Sequence, residues 1–494
     1  MRKAFKRQRR LDCPAVPKVP LNLNCRHETI PILRALQHIY STPEVRDPIL
    51  RAIAQDVNGK SSPHRGRPGM SYWEILVLAG VRLGCGYDYD QLQDLAENHR
   101  ALRQVMGIGD WEGEEKDRAR FDWRRIESNL TLLRPETIQA INQAIVEEGH
   151  RLEPAAAETV RGDSFVVETN IHHPTDSRLI GDGLRKVLGI AVLLAGLLGV
   201  GGWRQHKHLH RKAKKLVRKI ERIAAREGAG REARLKRPYR ELLELAETVL
   251  SRAEKLRDTV RKGGPGVEAQ ALAWEKELET YIQRTRQVCA QTRRRILEGE
   301  KVPNREKVFS IFETHTQLYK RGKAKEPVQF GRLVLVYEDG AGFITHYHLL
   351  GREESERDVV VEQTRVVQEH HGGKLRRASF DRGFHSPKIQ EELAKILEHP
   401  CVPMPGRQQA AEQEKTASVE FRKARQSHPG IESAIGALQS GNGLKRCRDR
   451  TEKGFERYIG LGVLGRNLHV LGKLLIAREA PHSQAAYSRR KQVA

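Results

Sequence analysis

Three acidic residues far apart in the chain could act together: Asp163 in RGDSFVVETNIHHPTDS, Asp381 in LRRASFDRGFHS and Glu432 in SHPGIESAIGAL. Asp381 lies 218 positions after Asp163, and Glu432 a further 51. Three carboxylates brought to one point suit hard divalent ions, which prefer oxygen ligands and keep several waters. Two such ions about 4 Å apart activate an attacking water or hydroxyl on one side of a phosphorus and neutralise the leaving oxygen on the other. The chemistry implied is phosphodiester cleavage with Mg²⁺ or Mn²⁺. Each residue also has a plain structural reading. Asp163 can be a surface carboxylate at a strand start, and Asp381 can pair with Arg382 or cap a turn. Glu432 has Glu391, Glu392, Glu412, Glu414 and Glu420 as neighbours in sequence.

The elements around these residues supply the means of positioning them. ETVRGDSFVVETN is rich in Val and Thr and reads as a strand containing Asp163. LRRASF is a second strand, ending at Asp381, and ESAIGALQ is a helix with Glu432 one turn from its start. VQFGRLVLVYEDGAGFITHYHLL predicts a β-hairpin turning at Glu338–Gly342. IQEELAKIL and YIGLGVLGRNLHVLGKLLIA read as further helices, as does the stretch from Val359 to His371.

Composition points to an anionic partner. There are 88 Lys and Arg against 63 Asp and Glu, a formal net charge of +25, which suits DNA, although membranes and acidic proteins are polyanions too. Six cysteines stand singly with no CxxC pair, which excludes a zinc ribbon or disulfide framework and suits a reducing cytoplasm. The opening MRKAFKRQRR is no secretory signal; it reads as a mobile basic arm. Val187 to Trp203 is apolar throughout, yet it is short for a spanning helix and holds five glycines, so a buried core helix is expected and not a membrane span.

From Thr29 to about Gly107 apolar residues recur at three- and four-residue spacing, a helical region with Ser71 as a helix cap. A helix-turn-helix fits this pattern, as does a purely structural or dimerising bundle. Arg65 and Arg67 in its basic loop are candidate DNA contacts. RQHKHLHRKAKKLVRKIERIAAR carries ten Lys or Arg and one Glu and would give a positively clothed helix able to lie along phosphates. Next, Leu242, Ala246, Val249, Ala253, Leu256 and Val260 form a heptad seam. A second seam, Trp274, Leu278, Tyr281, Thr285, Val288 and Thr292, follows KGGPG, so an antiparallel hairpin is expected. Lys445, Arg446 and Arg448 are further candidates for phosphate contact, or a solvated helix end. His172 and His173 suit DNA contact, pairing with Asp176, or a turn. His206, His208 and His210 step by two and share no helix face.

On DSFVVETNIHHPTDSRLIGDGLR, FDRGFHSP and HPGIESAIGALQSGNGLKRCRDRTEKGFERYIGLGVLGRNLHVLG, the chain resembles the bacterial insertion-sequence transposases of the DDE class, over about 158 to 475. The resemblance implies an α/β fold: an RNase H-like mixed sheet flanked by helices, interrupted by an α-helical insertion, plus an all-α N-terminal domain. It implies Asp163, Asp381 and Glu432 as the catalytic, metal-binding triad. Some relatives place an Arg four residues before that Glu and a Lys seven after, where this chain has His428 and Gln439. The expected organisation is a basic arm (1–28), a helical DNA-binding or dimerisation region (29–157), a first core segment (158–203), the helical insertion (204–305), a second core segment (306–476) and a basic, disordered tail (477–494). The expected partners are double-stranded DNA, as terminal inverted repeats and target, and further copies of the chain in a dimer or larger assembly. The place of work would be the cytoplasm, at the nucleoid. A nuclease without strand transfer and a domesticated DNA-binding repressor are the rival functions.

Overall fold

The computed structural model describes residues 2–5, 12–59, 69–109, 121–228, 230–262, 269–320, 328–404 and 418–492, with side chains through 479. The protein is mixed α/β, 64% helical, with an open mixed sheet. It divides into two compact units, Met1–Glu168 with Arg332–Ala494, and Thr169–Gly331.

The first unit opens with helices α1 (Thr29–Ser41), α2 (Pro43–Asn58), α3 (Tyr72–Gly84), α4 (Tyr89–Asn98), α5 (Arg100–Val105), α6 (Trp123–Leu130) and α7 (Pro135–Leu152). Ser71 does cap α3: its hydroxyl accepts from the Glu74 amide while the Glu74 carboxylate accepts from the Ser71 amide. All thirteen residues of α3 are buried, because YWEILVLAGVRLG is apolar on every face. A helix covered all round has no face for a DNA groove, so the second helix of the candidate helix-turn-helix is a core element.

The strands are β1 (Thr159–Thr169), β2 (Gln317–Lys320), β3 (Val328–Asp339), β4 (Ile344–Leu349), β5 (Arg377–Ser379), β6 (His399–Cys401) and β7 (Arg446–Cys447). They follow the order β2-β3-β1-β5-β6, with β4 on β3 and β7 on β1. β3 and β4 are antiparallel, whereas β1, β5 and β6 run parallel. The hairpin turn falls where the sequence placed it. Asp339 Oδ1 accepts from the amides of Ala341, Gly342 and Phe343, and Gly342 takes φ +93°, a conformation that glycine adopts without strain.

Helices α12 (Glu356–His370), α13 (Pro387–Ala394), α14 (Val419–Ser427), α15 (Gly430–Ser440) and α16 (Glu452–Gln492) complete this unit. α1, α3 and α7 pack on α16. Gly465 and Gly472 permit the close crossings: a Cβ on Gly465 would meet the Gly84 backbone at 2.3 Å, and one on Gly472 would meet the Pro31 carbonyl at 1.8 Å. The N-terminal helices therefore share one core with the C-terminal half and do not form an all-α domain of their own. Nor is the described part of the N-terminal arm loose. Arg2 Nη1 donates to Asn129 Oδ1 at 2.6 Å, and Gln37 Nε2 donates to the carbonyls of Val16 and Val19. At the other end α16 carries the expected disordered tail on as helix to Gln492. Among the described residues one helix is long and apolar enough to cross a membrane, Glu452–Glu479, and 67% of its apolar window is buried.

The second unit is built from α8 (Asp176–Leu197), α9 (His206–Ala224), α10 (Arg231–Lys262) and α11 (Ala269–Thr292), joined by β2 and the first residues of β3. It reaches further at both ends than the 204–305 read from charge and heptads. The apolar stretch from Val187 supplies its centre, since Val187, Leu188, Ile190, Ala191 and Leu194 face the cluster formed with α9, α10 and α11. The six residues of the α10 seam are all buried. In the α11 seam Leu278, Thr285, Val288 and Thr292 are buried, while Trp274 and Tyr281 are half-buried at its edge. Ion pairs Arg261–Glu275 at 2.7 Å, Arg257–Glu279 and Arg286–Glu254 at 2.7 Å set the two helices antiparallel.

Candidate active site

The register of β1 and β5 aligns the two aspartates. Thr159 pairs with Arg377, Val160 with Ala378 and Arg161 with Ser379, and the same offset relates Asp163 to Asp381. Asp381 follows the strand by two residues and keeps extended backbone, φ −75° and ψ 165°. Residues two apart on a strand share a face, and in-register residues on parallel neighbours point the same way. Arg161, Asp163, Ser379 and Asp381 therefore belong to one face. Asp163 is half-buried, its Oδ1 accepting from the Ser164 amide at 2.7 Å. Ser164 points to the opposite face, where its hydroxyl meets Glu356 at the start of α12.

The junction between α14 and α15 stands beside this face and buries Ser379, while the Asp381 side chain stays 58% exposed. His428, 4% exposed, stands in that junction with Nε2 at 3.2 Å from Asp381 Oδ1 and Nδ1 at 3.1 Å from Ser379 Oγ. Burial pushes its imidazole below the ordinary value, against the opposing pull of Asp381. A neutral ring has one donor and one acceptor, and a carboxylate only accepts. Nε2–H thus donates to Asp381, and the Ser379 hydroxyl donates to Nδ1. Arg161 secures the same junction: its Nη1 donates to the Ser427 carbonyl at 2.8 Å, and its Nε to Glu338 Oε2 at 2.6 Å. Glu338 is buried, 3% exposed in its side chain, with Arg466 at 3.7 Å from its other oxygen. Burial raises the Glu338 carboxyl, while Arg161 holds it back. Gly430 leaves the room that the Arg161 guanidinium occupies, since a Cβ there would fall 2.1 Å from Nη1.

Glu432 lies in the first turn of α15, exposed, two residues beyond Gly430. The structure brings Asp163 and Asp381 level and ties the α15 entrance to their face. Among the described residues, however, no group of three or more His, Cys, Asp or Glu is gathered to hold a metal ion. The donors fit Mg²⁺ or Mn²⁺ in kind, being carboxylate oxygens.

The basic candidates fall elsewhere. Lys445, Arg446 and Arg448 are exposed around β7. There Arg446 pairs with Glu168 at 2.9 Å, and the Glu168 amide donates to the Lys445 carbonyl. Glu168 is five residues along β1 from Asp163, roughly 17 Å at strand rise, so these three do not adjoin the carboxylates. Arg65 and Arg67 lie outside the described residues. In the second unit His172 faces Asp182 at 3.5 Å, not Asp176, and His173 sits edge-on to Phe330. Asp176 is buried and accepts from Gln291 and Arg295. Arg161 and Glu338 were not singled out from the sequence as site residues, and His428 was noted only as standing where some relatives have Arg. The period-two spacing of Arg161 and Asp163 was the available signal. Comparison with protein-family models, curated proteins and solved structures gave no match.

Proposed function

We propose that the protein is a DNA transposase of the DDE class, cutting at the terminal inverted repeats of its own element and joining the freed 3′ ends to target DNA. The observation that carries this reading is the register of β1 and β5, whose offset relates Asp163 on β1 to Asp381 two residues past the end of β5, with the Glu432 helix entering beside Asp381 through His428. A central strand, a neighbouring strand end and a facing helix are the three sources of carboxylate expected of an RNase H-like core. Helices flanking a mixed sheet, interrupted by a helical unit, also support that fold.

Asp163, Asp381 and Glu432 would hold Mg²⁺ or Mn²⁺, which supplies activation of water or a 3′-hydroxyl and neutralises the leaving oxygen. The remaining work belongs to the chain. His428 fixes Asp381 by one oxygen, as outer hydrogen-bond partners fix metal-binding carboxylates. Arg161 pins the carbonyl before α15 and so sets the position of Glu432. Pairing two DNA ends calls for a dimer or larger assembly, working at DNA in the cytoplasm.

The test is incubation of end-labelled duplex carrying the element's terminal repeats with target plasmid and Mg²⁺. Cleaved and joined products are expected, reduced to background in Asp163→Asn and Asp381→Asn variants that still bind the duplex. Cut ends without joined product would indicate a nuclease. Binding without any cleavage in the unaltered protein would indicate a repressor.

A further inference from the structure

We infer that α9 is a phosphate-backbone binding surface for duplex nucleic acid, separate from the carboxylate face. Ala213, Leu216 and Ile220 are its buried residues and mark the side packed on the rest of the second unit. Lys207, Arg211, Lys214, Lys215, Arg218 and Arg222 are all exposed. At 3.6 residues per turn these six fall within a sector of about 100°, centred opposite the buried side. From Lys207 to Arg222 the stripe is about 22 Å long at 1.5 Å per residue.

What distinguishes the stripe is the concentration of its charge on one exposed face. On the neighbouring helices several cations are matched: Arg257 with Glu279, Arg261 with Glu275, and Arg286 with Glu254. On α9 itself the flanking Lys219 meets Glu241 at 3.5 Å, and the single acidic residue, Glu221, is taken by Arg178. Among the described residues none of the six stripe cations pairs with a carboxylate. Like charges three and four residues apart repel on a helix, so the stripe works against the folded unit unless an external polyanion neutralises it.

The helix also indicates which polyanion. A helix that lies in a membrane surface inserts an apolar face, but Ala213, Leu216 and Ile220 of α9 are buried against the protein and Leu209 and Val217 pack on the same core. Single strands are held by stacking their bases on aromatic rings, and HKHLHRKAKKLVRKIERIA has no Phe, Tyr or Trp. What remains is a row of cations able to follow phosphates, which present one negative charge per about 1.7 Å of duplex axis. The inference shares DNA as partner with the proposed function but uses neither its carboxylates nor its reaction.

The experiment measures binding of the full chain to labelled 30-base-pair duplexes of arbitrary sequence, DNA and RNA, between 50 and 200 mM salt. Each phosphate contact contributes about 0.9 to the log–log slope. Six contacts predict an affinity falling by about 10³-fold over that range in the unaltered protein. In a K207Q/R211Q/K214Q/K215Q/R218Q/R222Q variant the slope is flatter by about five. A charge-preserving variant exchanging Lys and Arg at the six positions must keep the original slope, which separates charge from folding. Asp163→Asn must keep it too, so loss of cleavage alone leaves this inference standing. A slope unchanged in the Gln variant overturns the inference whether or not the protein cleaves DNA. So does stripe-dependent binding to phosphatidylserine vesicles without stripe-dependent binding to either duplex.

Discussion

Replacing Arg161 by Met removes the link between the buried Glu338 and the entrance of the Glu432 helix. Two hydrogen bonds are lost, to Glu338 at 2.6 Å and to the Ser427 carbonyl at 2.8 Å. Removing one partner of a buried ion pair costs about 3–5 kcal/mol. Arg466 remains at 3.7 Å from Glu338, and Arg161 is itself 24% exposed, so about 2–3 kcal/mol is expected at pH 8. The cost must depend on pH. Burial already raises the folded carboxyl of Glu338, which means that its ionised form opposes folding. That opposition is absent below the unfolded value and fully present above the folded one. Without Arg161 the folded value moves higher still, so the destabilisation grows as pH rises. At pH 4.5, where the raised Glu338 carboxyl is mostly protonated, the bonds lost run from the guanidinium to largely neutral acceptors, about 1 kcal/mol. Urea unfolding of both proteins at the two pH values measures this, provided the slope with denaturant is unchanged. A second variant separates stability from positioning. Arg161→Met with Glu338→Leu should recover most of the stability, since apolar replacements of buried pairs are often neutral. It should not recover DNA cleavage, because the Ser427 carbonyl is still unheld. Equal destabilisation at pH 4.5 and pH 8 would refute the reasoning, as would full cleavage in the double variant.

His428→Ala should raise the Mg²⁺ concentration for half-maximal cleavage by about 10- to 100-fold, the usual effect of losing a partner to a metal-binding group. His428→Asn, which can still donate to Asp381, should restore part of it, and a Mg²⁺ titration that does not distinguish the two variants would count against a positioning role. Arg82 and Asp449, 2% and 8% exposed and 2.6 Å apart, form a buried pair beneath Tyr89, whose ring lies 3.9 Å from the guanidinium. Asp449→Ala should cost about 3–5 kcal/mol in urea unfolding, and Arg82→Met with Asp449→Leu should recover most of it.

The parts of the site read from sequence were those with local signatures. Asp163 sits in a Val-rich run and Asp381 directly follows an apolar one, so both strand positions were legible. So was the α10 seam, where each heptad residue is buried. The side chains that hold the site carry no such signature. His428 and Arg161 act on residues tens to hundreds of positions away, and beyond the period-two spacing of Arg161 and Asp163 nothing in their local pattern announces it. The same limit hid the union of the N-terminal helices with α16, which depends on glycines at 465 and 472 meeting backbone far away in sequence. α3 misled for a different reason: helical spacing shows that a helix forms, whereas burial of every face follows only from what surrounds it.

The position of the second unit has a consequence for the order of folding. β1 and β3 are neighbours in the sheet, yet residues 170–327 separate them in the chain. Joining two strands across so long a loop lowers the chain entropy, and contacts this distant in sequence slow folding. α8 to α11 pack on one another around a core of their own, and individual helices of this kind form within microseconds. Once they have packed, the intervening chain is a compact spacer and not a free loop. The helical unit would then fold first and act as the closure that lets β1 find β3, making assembly of the sheet that carries Asp163 dependent on helices inserted between its strands.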